Sequence, residues 1–290
     1  MNALREIPRR ILGQILIMGV CLGAAEAESF ACRDVSGRTV SRVIGGHQIS
    51  HQEAPYQVAL IVRSADGDGS FGCGGSLISR GFVLTAAHCV VGKEINGPNG
   101  KAQPGQVTVL YGGDSQLEMM QANQTAEVDS IIVHSRYRDR VPSPADIAVL
   151  RLKDPLDVPQ TAVITLASPQ METALMADFT CARVTGYGRT ESGRGSDQML
   201  GVNLLVQPAQ VCRNFSTQVT SEMLCAGYNA GDQTACNGDS GGPLVIREGP
   251  TGWVQVGIVS WGKKGCRGAG SFGVYTRVSS FVPWILQVTQ

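Results

Sequence analysis

The sequence predicts an all-β chain, a sandwich or a barrel, on three observations. Glycine makes up 36 of the 290 residues while only 17% are charged, a balance that suits many turns between short strands. Short apolar runs recur along most of the chain, punctuated by clusters of Gly, Pro and Asn. No self-similarity at a period of roughly 20–50 residues points to a solenoid or propeller.

Taken in order, the first element is not part of the fold. Arg5, Arg9 and Arg10 precede an apolar run over residues 11–25, and Ala25-Glu26-Ala27 provides a small-residue cleavage site. Residues 1–27 therefore read as a signal peptide, and the destination as secreted, extracellular or periplasmic. A polar segment then ends in Ser41-Arg42 and gives way to Val43-Ile44-Gly45-Gly46. Strands are expected at residues 58–62, 81–87, 107–111 and 147–152, then at 181–186, 202–206, 243–246, 253–261 and 274–278. In the run at 253–261, Val254, Val256 and Ile258 alternate with Gln255 and Gly257, the period of a strand with one buried face. Residues 92–105 and 188–201 read as long loops. Only the end reads as helix, with Phe281, Val282, Ile285 and Leu286 on one side at helical spacing.

Several function classes are disfavoured by composition. The formal net charge is zero, so the overall balance offers nothing to nucleic acid or to an anionic membrane. No later stretch reaches about 18 consecutive apolar residues. Of nine cysteines, Cys21 leaves with the signal peptide and eight remain, an even number suited to disulfides in an oxidising compartment. None of the spacings forms paired C-x-x-C units, so no metal site is expected.

The chemistry centres on Cys236-Asn237-Gly238-Asp239-Ser240-Gly241-Gly242-Pro243, where half of the residues are Gly or Pro and Ser240 sits on a tight bend. A serine needs a base to attack, and the base needs a group to hold it. His88 ends an apolar run in Thr85-Ala86-Ala87-His88-Cys89, and Asp146 opens another in Asp146-Ile147-Ala148-Val149-Leu150. Each alone is compatible with a bland role as turn serine, core histidine or strand-capping aspartate. Their joint order, His then Asp then Ser, is what carries meaning.

With those two segments, Val43-Ile44-Gly45-Gly46, Cys73-Gly74-Gly75-Ser76-Leu77, Gly238-Asp239-Ser240-Gly241-Gly242-Pro243 and Ser260-Trp261-Gly262, the chain resembles the trypsin and chymotrypsin family of serine proteases from Val43 to Gln290. The resemblance implies two packed six-stranded antiparallel β-barrels with a C-terminal helix, the protease domain occupying residues 43–290. It makes Ser240 the nucleophile, His88 the base and then acid, and Asp146 the group that orients His88. The backbone N–H groups of Gly238 and Ser240 would form the oxyanion hole. Residues 28–42 would be an activation propeptide; cleavage after Arg42 would free the Val43 amine to pair with Asp239. The same resemblance pairs Cys73 with Cys89, Cys212 with Cys225 and Cys236 with Cys266. It leaves Cys32 and Cys181 open, since the usual partner of the latter is replaced by Ile246. They are expected either to bridge each other, tethering the propeptide, or to be free or intermolecular.

The substrate side is assigned to Thr234, Ala235, Asn237, Ser260, Trp261, Gly262 and Gly273. By the family's count the pocket floor is Thr234, which is uncharged, and Gly262 and Gly273 leave the walls open. A large apolar residue before the cut bond is therefore expected; the alternatives are Lys or Arg specificity using Asp232, and a non-catalytic binding protein on the same fold. A narrow esterase or amidase with the same triad is disfavoured, because Ser260-Trp261-Gly262 can pair with an extended peptide. Calcium-binding relatives carry glutamates where this chain has Gly113 and Asn123, with Glu118 and Glu127 out of register, so no metal and no cofactor is expected. Asn123-Gln124-Thr125 and Asn214-Phe215-Ser216 match the glycan acceptor pattern. Expected partners are protein or peptide substrates, an activating trypsin-like protease and protein protease inhibitors, with no nucleic acid or membrane; the molecule is expected to be a monomer.

Overall fold

The computed structural model describes residues 46–290 apart from 65, 67, 68, 93, 94, 96–99, 141, 191, 192, 229–234, 250, 251 and 263–271. Among the described residues no helix is long and apolar enough to cross a membrane.

Strands β1 (His47–Gln48), β2 (Gln57–Arg63), β3 (Ser70–Ser79), β4 (Phe82–Thr85), β5 (Val107–Tyr111), β6 (Thr125–Val133) and β7 (Ala148–Leu152) come first in the chain. Six of them close a barrel in the order β2-β3-β4-β7-β6-β5. Closure is a full antiparallel ladder, with β5 returning to β2 from Val58↔Tyr111 to Val62↔Val107. The inward positions Val58, Leu60, Leu77, Val83, Val109 and Leu150 fill it, each worth about 1.5–3 kcal/mol on full burial.

The second half contributes β8 (Thr165–Leu166), β9 (Cys181–Gly186), β10 (Leu200–Leu205), β11 (Met223–Ala226), β12 (Pro243–Glu248), β13 (Gly252–Gly262) and β14 (Gly273–Arg277). Its ladders run β10-β9-β12-β13-β14-β11. The ring is completed by one isolated bridge, Val206↔Ala226, flanked by bonds from Gly227 N to Leu205 O at 3.0 Å and from Gln207 N to Cys225 O at 2.9 Å. The sheet also gains β1 on β10 and the short β8, which runs parallel to β13. The expected six-stranded second barrel is thus present but carries two additional strands, one of them parallel.

The two barrels meet along a seam with an apolar centre, where Tyr56, Ala59 and Leu110 pack with Tyr187, Met199 and Val245. Two buried glutamines add polar links. Gln57 Oε1 accepts from Thr185 Oγ1 at 2.5 Å, and Gln255 Oε1 accepts from Ser76 Oγ at 2.6 Å. Each link pairs a group from one barrel with a group from the other, so separating the barrels strands both partners, at about 1–3 kcal/mol for each unsatisfied group.

The C-terminal helix forms at Val282–Val288, with Ile285 and the preceding Phe281 buried in the first barrel's core. Leu286, expected on the same side, is 59% exposed. Helices at Gln116–Gln121, Pro169–Leu175 and Ala209–Phe215, among the described residues, are too short for a periodic pattern to announce them. Two of them start at a serine cap: Ser115 Oγ accepts from Glu118 N and Ser168 Oγ from Met171 N, both at 3.1 Å.

Candidate active site

His88 lies on the 3₁₀ turn Ala87–Cys89 that ends β4. The turn is anchored on both sides: Cys89 is disulfide-bonded to Cys73 in β3, and Thr85 Oγ1 donates to Gly74 O at 2.8 Å. The His88 backbone N–H donates to Asp146 Oδ1 at 2.9 Å, and His88 Nδ1 lies 2.7 Å from Asp146 Oδ2. An ionised carboxylate can only accept, so the imidazole proton sits on Nδ1 and the Nε2 lone pair faces away from Asp146.

Asp146, just ahead of β7, is 1% exposed. Its remaining grip comes from the other barrel. Ser260 Oγ in β13 donates to Oδ2 at 2.5 Å, and Thr276 Oγ1 in β14 donates to the Asp146 carbonyl at 2.8 Å. Burial alone would raise the carboxyl, but the His88 charge and the donors from His88 and Ser260 outweigh it and hold Asp146 below the usual range. Burial alone would likewise lower His88; the Asp146 charge and hydrogen bond reverse this and leave the imidazole above its ordinary value.

Ser240 lies on the turn before β12. Gly238 has φ +99° and Gly241 φ +80°, left-handed conformations that side chains resist. Space forbids a side chain as well. A Cβ on Gly238 would stand 2.9 Å from Gly188 Cα, and one on Gly241 would collide with Thr85 Oγ1. The turn is tied to the first barrel by Gly74 N, which donates to Ser240 O at 2.7 Å, and to β13 by Gly241 N, which donates to Val259 O at 2.8 Å. Asp239 points the other way. Its Oδ1 accepts from Gly188 N at 2.9 Å and its Oδ2 from Cys236 N at 3.0 Å. Burial pushes its carboxyl up to about 6, against the pull of those two backbone donors.

A cleft of about 430 Å³ is lined by His88, Ser240, Gly238, Asn237, Phe71 and Ile95, among others. Among the described residues no hydrogen bond joins the Ser240 hydroxyl to His88, although both line this cleft. Such contacts commonly tighten only once substrate is bound.

The end of β13 carries Ser260, Trp261 and Gly262, with Gly262 paired to Gly273. Trp261 stacks on Phe215 with ring centres 6.2 Å apart, and Phe272 meets Phe215 edge-on at 5.7 Å. Ala235 packs against the second barrel's core. Arg42, Val43, Cys32, Asp232, Thr234 and Cys266 lie outside the described residues. Cys212 and Cys225 are bridged. Cys181 and Cys236 are each in a disulfide whose partner lies outside the described residues. At the positions weighed for calcium, Glu127 is instead paired with Lys153 at 2.8 Å. Among the described residues, Cys73, His88 and Cys89 come close enough together to share a metal, but both thiols are consumed by their disulfide.

Two groups at the site escaped the sequence reading. The sequence places Ser260 in a substrate-facing segment, whereas its side chain turns inward to Asp146 and is 8% exposed. Thr276 lay in an expected strand with no site role. For Ser260 the only sequence signal is a hydroxyl within the Ser-Trp-Gly run.

Two joined β-barrels, with a His–Asp pair on one and a glycine-flanked serine turn on the other, are the fold of the two-barrel serine proteases. The family model described as Trypsin matches residues 43–285, and the chain belongs to the trypsin family of serine proteases.

Proposed function

We propose that the protein is a secreted serine endopeptidase, made as a precursor and activated by cleavage after Arg42, with Ser240, His88 and Asp146 as its catalytic residues. The observation that carries this reading is the doubly held Asp146 carboxylate. It fixes the Nδ1–H tautomer of His88 beside a cleft that Ser240 and Gly238 also line. In the proposed reaction Ser240 Oγ attacks the peptide carbonyl carbon while His88 Nε2 takes its proton. The oxygen, now negatively charged, is held by the N–H groups of Gly238 and Ser240, worth roughly 3–4 kcal/mol per donor in comparable sites. Collapse breaks the C–N bond, His88 protonates the leaving amine, and the acyl group remains on Ser240 as an ester. Water, deprotonated by His88, then hydrolyses that ester.

The Val43 amine, once free, pairs with Asp239. The supporting observation is that Asp239 is buried with only two backbone donors as described partners, and its raised carboxyl is stabilised in the charged form by a cation. Gly262 and Gly273, facing each other across the end of the β13–β14 ladder, support an open primary pocket for a large apolar side chain. Labelling with a serine-directed phosphonate, before and after cleavage at Arg42, tests the reaction. Label on Ser240, absent in Ser240→Ala and dependent on His88, is expected. A peptide-library profile tests the preference, and one dominated by Lys or Arg at the cut residue would replace it with the Asp232 alternative.

A further inference from the structure

Gly238 is preceded by Asn237, and the pair lines the cleft together with His88 and Ser240. The chain holds three Asn-Gly pairs, the others being Asn96-Gly97 and Asn99-Gly100, but only here is the glycine one that the proposed reaction uses. Asn237 and Gly238 form the centre of a turn closed by Asp239 N, which donates to Cys236 O at 2.9 Å. Asn237 is exposed, and its side-chain amide bonds to nothing among the described residues. The Gly238 N–H likewise meets no acceptor among them. A side-chain amide carbon and a backbone nitrogen, both unengaged, are therefore neighbours along the chain.

Such a pair can react with itself. The backbone nitrogen after an asparagine can attack the side-chain carbonyl carbon and close a cyclic imide. Glycine favours this closure, because it has no Cβ to crowd the attack and its backbone turns freely. Gly238 already stands at φ +99°. One bond opposes the reaction. Arg189 N donates to Asn237 O at 2.8 Å, and closing the ring turns that peptide plane. The reaction therefore runs through a local opening of the turn, and whatever ties the plane down slows it.

We propose that Asn237 is a deamidation site through which the protein loses its oxyanion hole with age, and that an occupant of the cleft protects it. Gly238 N gives its proton to water or hydroxide and bonds to Asn237 Cγ. The Cγ–Nδ2 bond breaks, and Nδ2 leaves as ammonia. Water then opens the imide at either carbonyl, and Gly238 N regains its proton. One product is aspartate on the original backbone. The other is isoaspartate, whose main chain runs through Cβ and Cγ, longer by a methylene, and carries the Gly238 N–H out of its place in the turn. Either product brings a carboxylate into the cleft, beside the oxygen that becomes negative in the proposed reaction. That consequence rests on the proposed oxyanion role of Gly238; the deamidation does not. An oxygen seated on the Gly238 N–H fixes the peptide plane, which is the source of the protection.

The test incubates the cleaved protein at mildly alkaline pH, with and without a phosphonate on Ser240. Peptide mapping by mass spectrometry, with an isoaspartate-specific methyltransferase, follows residue 237. Asn237 is expected to convert to aspartate and isoaspartate, faster as pH rises, and at least about tenfold more slowly in the phosphonylated protein. The fraction converted at Asn237, separated by ion exchange, is expected to show kcat lower by about 10²–10³, the scale of one oxyanion donor. Asn237→Gln, whose longer side chain closes the imide poorly, is expected to keep its own starting kcat through the incubation. Asn237 still intact when a synthetic peptide of residues 234–243 has converted overturns the site. Equal conversion with and without the phosphonate overturns the protection, and full kcat in the converted fraction overturns the loss. Failure of the phosphonate to label Ser240 counts against the proposed reaction alone, because conversion at Asn237 is read by mass in the unlabelled protein.

Discussion

The half of the site on the first barrel and the half on the second are held in different ways. His88 is fixed by a disulfide, a backbone bond and a side-chain bond to Asp146, whose carboxylate also accepts from Ser260 and whose backbone carbonyl accepts from Thr276, both on the other barrel. Charges and donors there compensate one another within the folded chain. The Ser240 turn is shaped by left-handed glycines and leans on Asp239, whose carboxyl burial pushes up to about 6. One half carries its own counter-charges; the other has a buried acid whose only described partners are backbone N–H groups. The difference teaches where control belongs. Under the proposed activation, a change in Asp239's partner is expected to act on the serine turn and to leave the base untouched.

The sharpest break of that comparison removes the proposed reacting groups. Ser240→Ala or His88→Ala is expected to lower kcat by about 10⁶, with the double variant scarcely worse, because the two act as a unit. Additive losses would separate them. Asp146→Asn is expected to cost about 10⁴ in kcat, the magnitude known for this triad type in the same family. It also tests the electrostatics. With His88 as the proposed base, activity needs it neutral, so kcat/KM is expected to rise as pH passes through its raised value. Without Asp146 the burial effect is left alone, and the acid limb is expected to move to lower pH.

Gly238→Ala strikes only the serine half. A Cβ there meets Gly188 Cα at 2.9 Å in a left-handed conformation, and displacing one oxyanion donor costs about 10²–10³ in kcat. The His88 titration, followed by NMR, is expected to stay where it was. Ser260→Ala acts on the first half from across the seam. Loss of one donor to a buried carboxylate costs about 1–3 kcal/mol, and Asp146 is expected to lose part of its depression.

The smallest effect is a pH slope in the uncleaved precursor. An unfolded aspartate titrates near 3.9, whereas folded Asp239 is raised to about 6. The folded state therefore holds the extra proton between those values, and its stabilising contribution, full below the lower one, is lost as pH rises through the higher. Denaturant melts from pH 4 to 7 are expected to show this decline, and Asp239→Asn to remove it.

Much of this was legible in the residues. The motif segments, the glycine-flanked turn and strands such as 107–111 and 181–186 are local in sequence, and the structure puts His88 and Asp146 in contact and Ser240 on the cleft that His88 lines. β3 and β6 were not expected. β3 is interrupted by Gly72, Gly74 and Gly75, and in β6 only Val128 and Ile131 are buried, so neither shows an unbroken apolar pattern. The two-residue β8 is a strand only because β13 lies beside it. Ser260 and Thr276 reach Asp146 across 114 and 130 residues of chain. Such bonds exist only once the barrels meet, and no local pattern announces them.

The most direct measurement follows the His88 Nδ1 proton by NMR in an Arg42→Gln precursor and in the cleaved protein, alongside phosphonate labelling of Ser240. The account expects the same low-field proton and the same titration in both forms, with labelling faster by about 10²–10³ only after cleavage, the scale of a lost oxyanion donor. A fully reactive uncleaved precursor, or a His88 titration that moves on cleavage, would contradict it.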